Sequence, residues 1–347
     1  MSGANEPNKP NKLRVAVVEG GPSSEAGVSH ASAAAVERAL TDAGHEVVRL
    51  ELDLGIFDAL LRGKFDVVHP AVHGAVGEDG CLQGVLEVLG YAYVGSDVKA
   101  SAVAMDKVLA RRLFELAELP VARGIALRRG DEKTPLAAAE FARKVVGASV
   151  VVKPGASGSA VGVSRHDADA PLEQVAKAID AAWQLGDAAL VEHFARGREV
   201  TCGVVDLHGQ DAYALPPTEI VAPMDAFYTY EARYAPGRSV HACPAPLDEE
   251  LTRRVQDLAL RAHRALGCRD LSRVDFVVGD GANAAACIVL EVNTLPGFTQ
   301  TSLYPEAAAV AGLPFPRLCD VLVASAHRRG PTRRNAPLAF PGAAAAR

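Results

Sequence analysis

Apolar and polar positions along the chain follow two rhythms, and they switch often enough to outline an α/β protein. The run at 14–19 is almost wholly apolar between its ends and leads into Gly20-Gly21, as a buried parallel strand does. Helical spacing follows over about 29–43, closed by Gly44 at a C-terminal cap position. Short strands are predicted at 46–50 and 65–72, and a helix carrying Leu82, Val85, Leu86 and Leu89 ends at Gly90. This alternation implies a parallel α/β unit over roughly the first hundred residues.

A second unit begins with a helix containing Met105-Asp106-Lys107. It continues through a strand near 121–127, a helix at 135–146 and a strand at 149–152 that runs into Lys153-Pro154. A Gly-rich turn at 155–162, a helix at 172–185 and a strand at 188–192 complete it. A third unit opens with strands near Glu199. Its one clear helix shows Leu251, Val255, Leu258, Ala262 and Leu266 as a single stripe. The expected divisions are a lead-in at 1–12, domains at 13–103, 104–196 and 197–328, and a tail at 329–347 that frays after His327.

The third unit ends in a hairpin over 272–293, the most informative stretch of the chain. Val274, Phe276 and Val278 alternate with Arg273 and Asp275. Ile288, Leu290 and Val292 then alternate with Cys287, Val289, Glu291 and Asn293. A period of two puts each polar pair on one face of its strand. The turn-rich 279–283 between them sets Asp275 opposite Glu291. Carboxylates brought that close repel unless a cation sits between them. Oxygen ligands with an amide beside them suit a hard ion such as magnesium, which commonly arrives with phosphates. A solvated hairpin face is the plain alternative, and the rest of the chain weighs against it.

The 347 residues allow two or three domains, and a hydrophobic fraction of 49% with 5% aromatics means cores built of Ala, Val and Leu. A formal charge of −6 and a pI near 5.9 argue against nucleic acid as the main partner. No run approaches the ~18 apolar residues of a membrane span, so no membrane partner is expected. Six scattered cysteines form neither a zinc pattern nor a disulfide framework. Residues 1–12 lack the apolar core of a signal peptide, and a cytoplasmic protein is expected.

Lys153 precedes Gly155, Ser157, Gly158, Ser159 and Gly162. The lysine comes before the glycines, so this is not a Walker loop, but it offers backbone N–H groups, hydroxyls and a cation to a phosphate. Lys107 is a second cation, and Glu192 could serve a ribose or its surroundings. Gly20-Gly21-Pro22-Ser23-Ser24-Glu25 lies just past the first strand, at a ligand-binding sheet edge. Glu25 could grip an ammonium there; the bland alternative is helix capping by Ser23 or Ser24, with Glu25 complementing the dipole. His73 and the turn Gly77-Glu78-Asp79-Gly80 fall on the same edge. The segment 227–234, with Tyr228, Tyr230 and Tyr234, reads as a lid. Backbone N–H groups around Gly297 and the Ser302 hydroxyl could hold an oxyanion or carboxylate beside the metal.

Taken in order, these motifs resemble the D-alanine–D-alanine ligases of the ATP-grasp superfamily. The set comprises Gly20-Gly21…Glu25, His73-Gly74…Gly77-Glu78-Asp79-Gly80, Met105-Asp106-Lys107, Lys153-Pro154…Gly158-Ser159, Glu192, Glu199, Tyr228…Tyr234, Arg273-Val274-Asp275 and Glu291-Val292-Asn293-Thr294…Pro296-Gly297. The resemblance implies an α/β, three-domain ATP-grasp architecture: an N-terminal parallel α/β domain and two α+β domains sandwiching ATP. It implies formation of D-alanyl-D-alanine for peptidoglycan through an acyl phosphate, by a cytoplasmic homodimer. Lys107, Lys153, Ser157 and Arg233 would serve phosphates, Glu192 and Glu199 the adenosine side. Asp275, Glu291 and Asn293 would carry two magnesium ions, or manganese in their place. Glu25 would bind the first D-alanine's ammonium with His73 nearby, and would join Ser159 and Tyr234 in a network closing the loop. Arg273 and the Gly297 N–H would stabilise the tetrahedral intermediate. Ser302 and Leu303 would take the second substrate's carboxylate. Arg233 stands where the family usually has lysine, keeping the charge but changing reach; Thr229 replaces the usual Asp and Ala160 the usual second serine. Tyr234 matches the dipeptide-forming members, which disfavours D-lactate. A ligase with another second substrate and a nucleotide-binding regulator without turnover are the rivals.

Overall fold

The computed structural model describes residues 12–156, 158, 160–221, 240–279, 286–299 and 302–332. Three strands, β1 (Arg14–Glu19), β2 (Glu46–Glu51) and β3 (Val67–Pro70), form a parallel sheet with β1 in the middle. Every β1 residue after Arg14 is buried, as its apolar run requires. The helix Ala26–Asp42 connects β1 to β2, and Ile56–Gly63 connects β2 to β3. Ser29 ties the ligand-facing strand ends together: its Oγ accepts the Gly20 N–H at 2.8 Å and donates to Ala71 O at 2.8 Å.

A second sheet contains β4 (Gly124–Arg128), β5 (Val150–Pro154), β6 (Ser164–His166) and β7 (Ala188–His193) in the antiparallel order β4-β7-β5-β6. The helices Pro135–Val146 and Leu172–Leu185 share its core, contributing Ala138, Ala142, Val175, Ile179 and Trp183. Pro135 at the first helical position, with Thr134 accepting the Ala137 N–H, explains the sharp start of the former.

The third sheet contains β8 (Arg198–Asp206), β9 (Tyr213–Ala214), β10 (Thr218–Val221), β11 (Val240–Ala242), β12 (Asp270–Val278) and β13 (Cys287–Asn293). Its order is β11-β10-β8-β12-β13, with β9 beside β8. The helix Glu249–Leu266 buries all five residues of its apolar stripe. The chain then returns to the first sheet. Leu318, Leu322 and Val323 of the helix Phe315–Arg329 share a core with Val15, Val17 and Val67.

Two helical stretches differ from the sequence reading. The helix expected through Met105-Asp106-Lys107 is two helices, Val98–Met105 and Lys107–Leu116, meeting at an extended Asp106. Asp106 ends the first and caps the second, accepting the N–H groups of Val108 and Leu109 at 2.9 Å each. The apolar pattern runs across this break, so periodicity alone does not reveal it. The last helix also continues through Arg328 and Arg329, past the point where fraying is expected. Arg329 pairs with the buried Asp270 and donates to Tyr93 O at 2.6 Å. Gly95 N–H donates to the same aspartate at 2.8 Å, and Arg269 donates to Gly95 O at 2.8 Å while lying over the Tyr93 ring. These contacts clamp the end of the N-terminal unit to the head of β12.

Candidate active site

Strand β12 hydrogen-bonds to β13 with Asp275 opposite Glu291 and Arg273 opposite Asn293. The register shifts by one between Asp275 and Phe276, leaving Leu290 as the extra residue of a β-bulge. This corrects the simple alternation read from the sequence. Cys287, Val289 and Val292 are buried together, and Ile288 rather than Val289 falls on the side of Glu291 and Asn293. The bulge absorbs a phase change that a strict period of two cannot contain. The polar set nonetheless shares one face.

The carboxylates there meet the chain's own cations. Asp275 receives a forked pair of bonds from Arg273 at 2.8 and 2.9 Å. It also accepts from the Thr201 hydroxyl at 2.9 Å and the Asn293 amide at 3.1 Å. Lys107 Nζ lies 3.2 Å from Glu291. Two carboxylates and an amide oxygen on neighbouring strands, already drawing two cations, are a donor set suited to a hard divalent ion. Among the described residues, Glu19, His30 and Glu51 also lie close enough together to share an ion. Arg49 grips both oxygens of Glu19 there, so that cluster is accounted for as an ion-pair network.

Glu25, His73, Glu78, Lys107, Gly158, Arg273, Glu291, Asn293 and Gly297 line one cleft where the three sheets converge. Asp275 stands behind this surface, reached through Arg273 and Asn293. Glu25 is the first residue before the helix Ala26–Asp42, and its side chain makes no capping bond. Ser23 Oγ instead accepts the Glu25 N–H at 3.2 Å and donates to His73 O at 2.7 Å, bracing the two turns. A side chain at Gly74 would collide with the Glu25 carboxylate, and the positive φ of Gly74 reinforces that restriction.

Lys153 and Glu192 form a second charged pair. Glu192 accepts from Lys153 at 2.6 Å and from Arg111 at 2.8 Å. Burial raises the carboxyl's proton affinity, but the two cations outweigh it and hold it below the usual range. Lys107 is tied into the same region through its backbone, whose N–H donates to Gly155 O at 2.8 Å. Glu199 lies on the face of β8 that carries Thr201, two residues from the Asp275 contact. Ser302 Oγ accepts the Thr299 N–H at 3.1 Å and packs beside Gly297. Leu303 opens the following helix. Ser157, Ser159, Arg233, Tyr234 and the rest of the expected lid lie outside the described residues.

Three residues escaped the sequence reading as site members. Arg111 follows Lys107 by four positions, so both share a helix face, a usable signal. Thr201 had only its place on a strand. Glu78 is legible in the sequence only as part of a turn. In the structure its Oε2 accepts the Gly74 N–H at 2.9 Å, and burial, helped by nearby Glu25, pushes its carboxyl up to about 8. The turn also holds Val76 at φ 69, costly for a β-branched residue.

Comparison with known proteins identifies the family. Residues 113–324 match the family described as D-ala D-ala ligase C-terminus, and residues 56–96 its companion, D-ala D-ala ligase N-terminus. The chain belongs to the D-alanine–D-alanine ligase family. Relatives named D-alanine–D-alanine ligase include one from Geotalea uraniireducens, 42% identical over 90% of this chain and 95% of its own length. Another, from Gluconobacter oxydans, is 42% identical over 91% of this chain and 100% of its own. The solved ligase of Bacillus anthracis complexed with ATP superimposes with a TM-score of 0.75 at 28% identity, covering 91% of this chain and 98% of that one. The VanG D-Ala:D-Ser ligase of Enterococcus faecalis gives 0.78 at 28% identity, covering 91% and 100%. These neighbours establish the expected ATP-grasp fold.

Proposed function

We propose that this chain joins two D-alanine molecules with conversion of ATP to ADP and phosphate. Support comes chiefly from one observation. In a member of this ligase family, Glu291 with Lys107 and Asn293 with Arg273 face Glu25 across one cleft, and Asp275 is held directly behind. Asp275, Glu291 and Asn293 would hold magnesium, which would neutralise charge on the transferring phosphoryl group.

Glu25 orients the first D-alanine by its ammonium, so that its carboxylate oxygen attacks the γ-phosphorus. Lys107 and Lys153 draw the phosphates into line. The free amine of the second D-alanine then attacks the acyl carbon while Arg273 and the Gly297 N–H stabilise the developing oxyanion. Phosphate leaves with the bonding electron pair and takes up the proton that the attacking nitrogen loses, and the dipeptide forms. Water must stay out, because an acyl phosphate hydrolyses. The reading includes a cytoplasmic homodimer. No single helix among the described residues is long and apolar enough to cross a membrane.

The structural likeness to a D-Ala:D-Ser ligase favours one second reading, a different second substrate. Product identification from purified protein given ATP and D-alanine alone, and then with D-serine or D-lactate added, separates the two. A mixed product dominating at equal concentrations would replace the first reading with the second.

A further inference from the structure

The loop that carries Gly297 is joined to the N-terminal unit by two buried side chains. Ser32 lies on the helix Ala26–Asp42 with no exposed surface, and His73, also buried, follows β3. His73 Nδ1 is 3.3 Å from Leu295 O, and its Nε2 is 3.2 Å from Ser32 Oγ. The Phe298 N–H points at the same hydroxyl oxygen at 3.4 Å. Leu295 O and Phe298 N are three residues apart, with Pro296 and Gly297 between them.

The directions of these bonds follow from elementary chemistry. A carbonyl oxygen only accepts, so in the neutral imidazole Nδ1 carries the proton. Nε2 is then an acceptor, and the Ser32 hydroxyl must donate to it. That leaves the hydroxyl's lone pairs for the Phe298 N–H. Each donor meets one acceptor, and the four groups form a consistent relay. Burial lowers the proton affinity of His73 despite the opposing pull of Glu25, which favours the neutral ring the relay needs.

We infer that Ser32 is a positioning residue: acting through His73, it fixes residues 295–298 and thereby aims the Gly297 N–H at the reacting acyl oxygen. His73 then works within the protein, both ring nitrogens engaged, instead of gripping substrate. The consequence for turnover rests on the ligase reading; the relay itself does not.

Ser32→Ala removes one oxygen from a packed site and preserves its volume closely. It is expected to lower kcat by roughly tenfold to a hundredfold, as small misplacements at a reacting centre do. ATP affinity should stay near that of the parent, while the unpaired His73 Nε2 and Phe298 N–H should lower the melting temperature by roughly a few degrees. At His73 the conservative variants separate the roles. His73→Asn keeps an amide N–H near Nδ1 for Leu295 O, whereas His73→Gln places its amide near Nε2 and abandons that carbonyl. Asn should therefore retain more activity than Gln. Unaltered kcat in Ser32→Ala, or Gln matching or surpassing Asn, overturns the inference. Nitrogen NMR of the parent protein reads the relay without turnover: the Nδ1–H tautomer is required, and an Nε2–H tautomer rejects it. If D-alanine gives no ADP at all, the functional reading fails while the NMR result still decides the relay.

Discussion

At the scale of single residues, charge placement decides function. Asp275→Asn and Glu291→Gln each remove a negative ligand while keeping shape, and both should abolish ADP formation with the circular dichroism spectrum unchanged. Turnover comparable to the parent in either variant would contradict the metal assignment. Glu78 yields a pH prediction. Its carboxyl titrates near 8 in the folded chain, against an ordinary value near 4.3 when unfolded. Between those limits the folded state holds a proton that the unfolded state has released, so stability falls as pH rises through the window. Glu78→Gln removes that contribution. The difference in melting temperature between pH 5 and pH 8 should shrink in the variant; an undiminished difference means this carboxyl is not the titrating group. Residue type and order identified Glu25, Lys107, Lys153, Asp275 and Glu291 as candidates. They could not reveal that Lys153 bonds to Glu192, or that Ser32 meets His73, because those contacts depend on how separate elements pack.

At the scale of elements, local chemistry explains both the successes and the misses of the sequence reading. The helix Pro135–Val146 is readable because proline and threonine fix its start, and the stripe on Glu249–Leu266 because its period is unbroken. The hairpin's facing acids are readable from the turn, whereas the bulge at Leu290 is silent, since apolar residues occupy both phases there. The helix break at Asp106 is masked in the same way. That break holds Lys107 between the Gly155 carbonyl and Glu291. Asp106→Ala loses two capping bonds and should cost about 1 kcal/mol in urea unfolding. It should also raise the KM for ATP, with Asp106→Asn restoring most of both. A capping loss with no change in KM would show that Lys107 is positioned by something else.

At the scale of the whole molecule, the clamp of Asp270, Arg329 and the 93–95 segment fixes how the unit bearing Glu25 meets the strand bearing Arg273. Burial raises the Asp270 carboxyl's proton affinity, and Arg329 opposes it. Arg329→Met leaves that carboxyl without its partner and should destabilise the protein by about 3–5 kcal/mol. Asp270→Asn in the same chain should recover part of the loss; no recovery would mean the two act independently. No pattern in the sequence announces this pair, because its members are far apart in the chain and only the fold brings them together. The most direct test of the ligase reading is the product made by purified protein from ATP, magnesium and D-alanine, identified by mass spectrometry. D-Alanyl-D-alanine in equal amount with ADP is the predicted result. AMP with pyrophosphate, or no dipeptide under conditions where the nucleotide binds, would contradict it.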